Sequence, residues 1–168
     1  MNIVLIGFMG CGKSAAAQYL SHLLGLPYIE TDELVYQKTN TRNMHEVFAL
    51  GGELLLRETE IAIAKKYASK ENLIVSAGGG LVLNKITLDY FKNAGGKVFF
   101  LNAGFDTIVK QLAGDDSRPL FKDMASAKKL YDFRLPLYLN YADEVIDVDS
   151  LSPDEIAWKI KKMVSDGL

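Results

Sequence analysis

The spacing of apolar and polar positions changes repeatedly along the chain and divides it into short strands alternating with longer helices. Ile3 to Ile6 is an apolar, partly β-branched run ended by Gly7, which predicts a strand buried on both faces. A helix follows from Gly12 or Lys13, with Ala16, Leu20, Leu23 and Leu24 on one face, and it stops at Gly25 before Pro27. Tyr28-Ile29 predicts a second, short strand. From Thr31 to Tyr67 the period is helical, with breaks at Thr39 to Thr41 and at Gly51-Gly52. Leu73 to Val75 is a third strand running into Gly78-Gly79-Gly80, and a helix over about Lys85 to Lys92 leads to a fourth strand at Val98 to Leu101. After a helix near Asp106 to Leu112, the segment Ala113 to Ala125 is polar and shows no period, the pattern of a mobile lid loop. Ala127 to Tyr138 reads as helix, bent or ended by Pro136, and Val145 to Val148 is a fifth strand. Ser152-Pro153-Asp154-Glu155 opens the last helix with a capping box. Five strands alternating with helices predict a parallel sheet covered on both faces, and 168 residues suit one domain.

Composition narrows the function. Hydrophobic residues at 49% and charged residues at 24% are those of a folded globular chain. A net charge of −2 supplies no general attraction to nucleic acid or an anionic membrane, so an anionic ligand needs a local site. The lone cysteine, Cys11, rules out an internal disulfide, and with two isolated histidines there is no zinc-finger set. Met1 to Ile6 lacks the charged start of a signal peptide, no apolar span long enough for a membrane follows, and the expectation is a cytoplasmic protein. Fifteen lysines accompany only four arginines, Arg42, Arg57, Arg118 and Arg134. Because the guanidinium fork suits two-pronged carboxylate and phosphate recognition, each of the four invites a separate question.

Gly7-Phe8-Met9-Gly10-Cys11-Gly12-Lys13-Ser14 has the phosphate-loop spacing of Gly, four residues, Gly, Lys and Ser or Thr. It lies between a predicted strand and a predicted helix, where backbone N–H groups and the helix dipole converge on phosphate oxygens. Gly10, Cys11, Gly12, Lys13, Ser14 and Ala15 are thus the expected ATP-binding residues. Lys13 neutralises the β and γ phosphates, and the Ser14 hydroxyl ligates Mg²⁺. Cys11 fills a spacer position, where a small side chain is enough, and no base nearby makes it a nucleophile.

A phosphate loop leaves the phosphoryl acceptor open, and other residues speak to it. Glu30-Thr31-Asp32 ends the second strand, Leu56-Arg57-Glu58-Thr59-Glu60 lies on a helix, and Gly78-Gly79-Gly80 follows the third strand. Arg118-Pro119-Leu120 lies in the polar loop and Arg134-Leu135-Pro136-Leu137-Tyr138 on the next helix. This ordered set, from Ile3 to Tyr141, resembles the shikimate kinase family. The resemblance implies a three-layer αβα, nucleoside-monophosphate-kinase-like P-loop fold that transfers the γ-phosphoryl of ATP to the 3-hydroxyl of shikimate in aromatic amino-acid biosynthesis. It also implies roles. Asp32 contacts ring hydroxyls and accepts the attacking hydroxyl's proton, Arg57 and Arg134 grip the carboxylate, and Gly78, Gly79 and Gly80 face the ring substrate. Arg118 closes over the transferring phosphoryl, like an arginine finger supplied by the same chain. In place of the family's usual Asp two residues before Asp32 stands Glu30, and near the adenine position, where arginines are common, the candidates are Lys110 and Gln111.

A small acid with a carboxylate at one end and a reactive hydroxyl at the other needs a cationic clamp and a proton acceptor, so the residues fit this design on chemical grounds also. Plainer readings exist. Arg57 fits a helical ion pair with Glu53 or Glu60, Arg134 a surface cation and Arg118 a loop salt bridge with Asp115 or Asp116; Phe48 and Leu54 to Leu56 fit the core, with a wall of the acid pocket as the alternative for Phe48. A gluconate-type sugar-acid kinase and a nucleotide-binding regulator without transfer are the competing functions. The expected partners are shikimate and ATP, without nucleic acid or membrane, and the expected state is a monomer.

Overall fold

The structure, a computed structural model, describes residues 1–113 and 123–166. Five strands form one sheet: β1 (Ile3–Ile6), β2 (Tyr28–Glu30), β3 (Ile74–Ser76), β4 (Lys97–Asn102) and β5 (Glu144–Asp147). Their order is β2-β3-β1-β4-β5 and every pairing is parallel. Val4 stands beside Val75 on one side and Val98 on the other, so the apolar runs of β1, β3 and β4 stack into the centre. All of β1 and β3 is buried, as helices on both faces require.

The helices are α1 (Lys13–Leu24), α2 (Thr31–Thr39), α3 (Met44–Ala68), α4 (Lys85–Asn93), α5 (Phe105–Leu112), α6 (Met124–Tyr141) and α7 (Pro153–Asp166). Ala16, Ala17 and Leu20 bury one face of α1, which packs against α7. Gly25 ends α1 in the left-handed conformation. The expected capping box is present, with Ser152 N–H donating to Glu155 Oε2 at 2.8 Å.

The expected break at Gly51-Gly52 is present, for Gly52 at φ 67° leaves helical geometry and kinks α3. Two expectations are corrected. α6 runs through Pro136 to Tyr141, and it begins at Met124 because Asp123 caps the amides of Ala125 and Ser126. Phe48 and Leu54 are exposed, while Leu56 is buried. Leu56 joins Val35, Val47 and Ile63 in a small cluster between α2 and α3, apart from the main core around the sheet. That cluster fixes α2 to α3. Most of the expected lid, including Arg118, lies outside the described residues. Among the described residues no helix is long and apolar enough to cross a membrane.

Candidate active site

Because all five strands are parallel, their carboxyl ends share one edge of the sheet, and the loops leaving that edge form the site. The central strand β1 delivers the phosphate loop. Gly10 and Gly12 lie at φ 78° and 94°, a region that side chains disfavour, and this lets the loop turn directly into α1. Gly12 provides no side-chain cap, so the first amides of α1 remain available as donors to an anion. Lys13 is buried, and its ammonium donates to Gly7 O at 2.7 Å and Phe8 O at 3.0 Å, which offsets its desolvation. Cys11 is buried as well, its sulfur 3.6 Å from Lys13 Nζ.

A cavity of about 370 Å³ adjoins the loop. Gly10, Gly12, Lys13, Ser14 and Ala15 line one wall, and Glu30, Asp32, Glu33 and Tyr36 line the α2 side. Gly78 and Gly79 form part of the β3 side, and Gln111 and Leu112 complete it from the end of α5. The Ser14 hydroxyl donates to Glu30 Oε2 at 3.1 Å, so Glu30 reaches the phosphate loop directly.

The glycine triplet joins this cavity to Arg134 and Arg57. A side chain on Gly78 would collide with Asp32 Oδ1, one on Gly79 would lie 3.5 Å from Arg134 Nη1, and one on Gly80 would lie 2.8 Å from both terminal nitrogens of Arg57. One bare glycine thus backs each of three expected site residues. Gly79 also abuts Gly7 O and Met9 N, so a single residue separates the phosphate loop from the Arg134 guanidinium. The loop is held from both sides: Gly78 N–H donates to Thr31 Oγ1 at 2.8 Å, and Tyr138 O–H donates to Gly79 O at 2.5 Å. Burial pushes the Tyr138 phenol well above its ordinary range, keeping it a donor, and its ring stacks on Phe100.

Arg57 makes the helical ion pairs expected of it. Nη1 donates to Glu60 Oε2 at 2.8 Å and to Gly80 O at 3.0 Å, while Nη2 pairs with Glu53 Oε1 at 3.3 Å. These ion pairs aim the guanidinium. Arg134 is 9% exposed and lies over the Phe8 ring, and its Nε has no hydrogen-bond partner. Arg57, Gly80 and Arg134 do not line the cavity itself; they adjoin it through Gly78 and Gly79.

Glu60, at 2% exposure, ties these groups together electrostatically. Desolvation raises its pKa above the ordinary 4.5; Arg57 opposes the rise, Asp32 adds to it and Arg134 opposes it. A raised carboxylate pKa means that the folded protein holds the proton more tightly than the unfolded chain. Glu60's favourable contribution to stability is therefore complete below about pH 4.5 and is lost as pH rises through its folded pKa. Chemical denaturation across that range should show wild-type stability declining relative to Glu60→Gln as pH increases. A difference that does not vary with pH would contradict the raised pKa.

A phosphate loop at the central strand, beside a carboxylate and two arginines carried on neighbouring helices, defines a small-molecule kinase of the nucleoside-monophosphate-kinase-like class. A family model for shikimate kinase matches residues 9–165, and the chain belongs to the shikimate kinase family, ATP-dependent phosphotransferases acting on a shikimate hydroxyl. A shikimate kinase of Caldicellulosiruptor bescii is 35% identical over 162 residues, covering 95% of this chain and 92% of that protein. The shikimate kinase of Acinetobacter baumannii, solved in complex with shikimate, superimposes with a TM-score of 0.90 at 25% identity, over 99% of this chain and 93% of that one. That of Aquifex aeolicus superimposes with a TM-score of 0.83 at 28% identity, over 99% and 98% of the two chains.

Pattern alone missed Tyr138, Thr31 and Leu112 as site residues. Tyr138 had a usable signal, since it stands one helical turn from Arg134 and so shares its face.

Proposed function

We propose that this chain transfers the γ-phosphoryl of ATP to the 3-hydroxyl of shikimate, with each residue acting as follows. The loop amides from Gly10 to Ala15 and the Lys13 ammonium hold the phosphates. Arg57 and Arg134 grip the shikimate carboxylate, and the unpartnered Nε of buried Arg134 gains an acceptor when they do. Asp32 orients the attacking hydroxyl and takes its proton as the oxygen bonds to phosphorus. Arg118, outside the described residues, is assigned to the transferring phosphoryl, and the Ala113 to Ala125 segment is assigned as the lid over it. The protein acts as a cytoplasmic monomer with no nucleic-acid partner.

Mg²⁺ fits the donors present. Among the described residues no group of three or more His, Cys, Asp or Glu side chains could hold a metal ion. Mg²⁺ suits such a site because it keeps several waters and shares oxygens of the nucleotide phosphates. The Ser14 hydroxyl would hold it with Glu30 alongside, and when bound it supplies positive charge to the phosphate oxygens.

The observation that carries this reading is the glycine triplet, which sets Asp32, Arg134 and Arg57 side by side at the margin of the phosphate loop. A coupled assay offering shikimate and gluconate separately, each with ATP and Mg²⁺, tests it. Shikimate alone should be turned over; turnover of gluconate alone would overturn the substrate.

The grip also predicts a mutational split. A charge-assisted hydrogen bond is worth about 1.5 to 3 kcal/mol, so losing one paired bond in Arg57→Lys or Arg134→Lys should raise the shikimate Kd roughly 10- to 150-fold. ADP binding should change by less than about threefold, within 1 kcal/mol. Lysine is the informative replacement at position 57, because Arg57→Ala would leave Glu60 buried and unpaired. Isothermal titration with each ligand measures both values.

A further inference from the structure

The phosphate loop carries one large side chain that phosphate binding does not use. Phe8 is 2% exposed, and its backbone carbonyl accepts from the Lys13 ammonium at 3.0 Å. Its ring packs against α6 instead. The Tyr131 ring meets it at 5.5 Å between centroids with the planes at 75°, and the guanidinium carbon of Arg134 lies over it, 5.9 Å from the centroid. Tyr131 and Arg134 stand three residues apart and so share a face of α6. The Tyr131 hydroxyl donates to Ala103 O at 2.8 Å, just beyond β4, which fixes that face against the sheet. The same guanidinium abuts Gly79, and Gly79 abuts Gly7 and Met9, the two chain neighbours of Phe8.

The two arginines are therefore compensated in different ways. Arg57 is paired with Glu53 and Glu60, whereas Arg134 has no carboxylate partner among the described residues, although it is buried. An uncompensated buried cation is costly. An aromatic face offers it negative charge density without accepting any of its N–H bonds, and Arg134 Nε indeed has no partner. A carboxylate in the place of the ring would have to release the guanidinium before a ligand's acid group could take it. We propose that Phe8 is a positioning residue for acid recognition: its ring holds the Arg134 guanidinium beside the phosphate loop and leaves Nε free for the substrate carboxylate. This rests on the reading above, in which Arg134 grips that carboxylate. The consequence is specific. A side-chain change inside the nucleotide loop alters the affinity for the acid and spares the affinity for the nucleotide, because the loop's backbone and Lys13 hold the phosphates.

The test measures equilibrium binding of shikimate and of ADP to the full chain with Phe8→Leu, and with mono-, di- and trifluorophenylalanine placed at position 8. Leucine keeps a buried apolar side chain but has no ring face. The fluorinated rings keep the shape closely and withdraw charge density from the face. Phe8→Leu should raise the shikimate Kd roughly 5- to 30-fold, the range of a desolvated cation–π contact, and change the ADP Kd by less than about threefold. Its KM for shikimate should rise in step while its KM for ATP does not. Each added fluorine should raise the shikimate Kd further and leave the ADP Kd unchanged. Equal weakening of both ligands in Phe8→Leu would mean that the side chain only shapes the loop, and would overturn the proposal. So would a shikimate Kd that ignores fluorination, which would make the ring a packing element alone. If Phe8→Leu fails to fold, the fluorinated series decides by itself, since those rings are nearly isosteric with the native one. Shikimate-dependent ADP release by wild type and the shikimate Kd of Arg134→Lys report on the underlying kinase reading separately, so failure of one is distinguishable from failure of the other.

Discussion

Asp32→Asn is expected to lower kcat for shikimate phosphorylation by about 10² to 10⁴ while changing the KM for ATP by less than about threefold. Asn keeps the size and hydrogen-bonding reach of the side chain but cannot take up a proton. The attacking hydroxyl must then lose its proton to water as the bond to phosphorus forms. ATP binding should survive because the phosphate loop leaves a different strand, β1, and Lys13 is held by that loop's own carbonyls. Gly78 leaves no room for a bulkier replacement, and this isosteric change keeps the close packing intact. Steady-state kinetics with both substrates varied provides the check. Turnover within a few-fold of wild type would remove Asp32 from the proton-accepting role.

The second large effect concerns Lys13. Lys13→Met should reduce kcat by about 10³, the scale on which losing one preorganised electrostatic donor acts. The methylene stem is nearly matched, so apolar packing is preserved while the charge is lost. The carbonyls of Gly7 and Phe8 lose their shared donor, and the loop loses the cation that faces developing negative charge. The thermal melting point should remain close to wild type, since the core of β1, β3 and β4 is untouched. Single-turnover measurement at saturating ATP separates the chemical step from weaker binding. A normal single-turnover rate would show that the lysine serves binding alone.

Much of this site is legible before any coordinates. The phosphate loop declares itself because its chemistry is local: eight consecutive residues supply the turn, the amides and the cation. The strands around it are legible because uninterrupted apolar runs have few alternatives in a chain of this length. The setting of Arg57 is only half legible. Helical spacing identifies Glu53 and Glu60 as partners, but the Gly80 carbonyl that completes the set lies 23 residues away and arrives through the β3 loop. Tyr138 with Gly79, 59 residues apart, is likewise a contact that packing alone creates. Pro136 misleads because helix-breaking strength is a local average, whereas α6 is held on both sides of the proline by Tyr138, Arg134 and Ala127, all buried. Phe48 and Leu54 mislead for the complementary reason. Both lie exposed on either side of the kink at Gly52 while Leu56 turns inward, and apolar character alone does not say which of neighbouring side chains is buried.

The central claim is that a gripped carboxylate places one hydroxyl in line with ATP bound on the opposite side of a single cleft. The most direct test is the initial rate of ADP release with shikimate compared with its methyl ester, at fixed ATP and Mg²⁺. The ester keeps every ring hydroxyl and removes the charge that Arg57 and Arg134 are proposed to hold. The account predicts kcat/KM for the ester roughly 10- to 150-fold below that of the acid, from the loss of at least one charge-assisted bond. Equal values for acid and ester would contradict it.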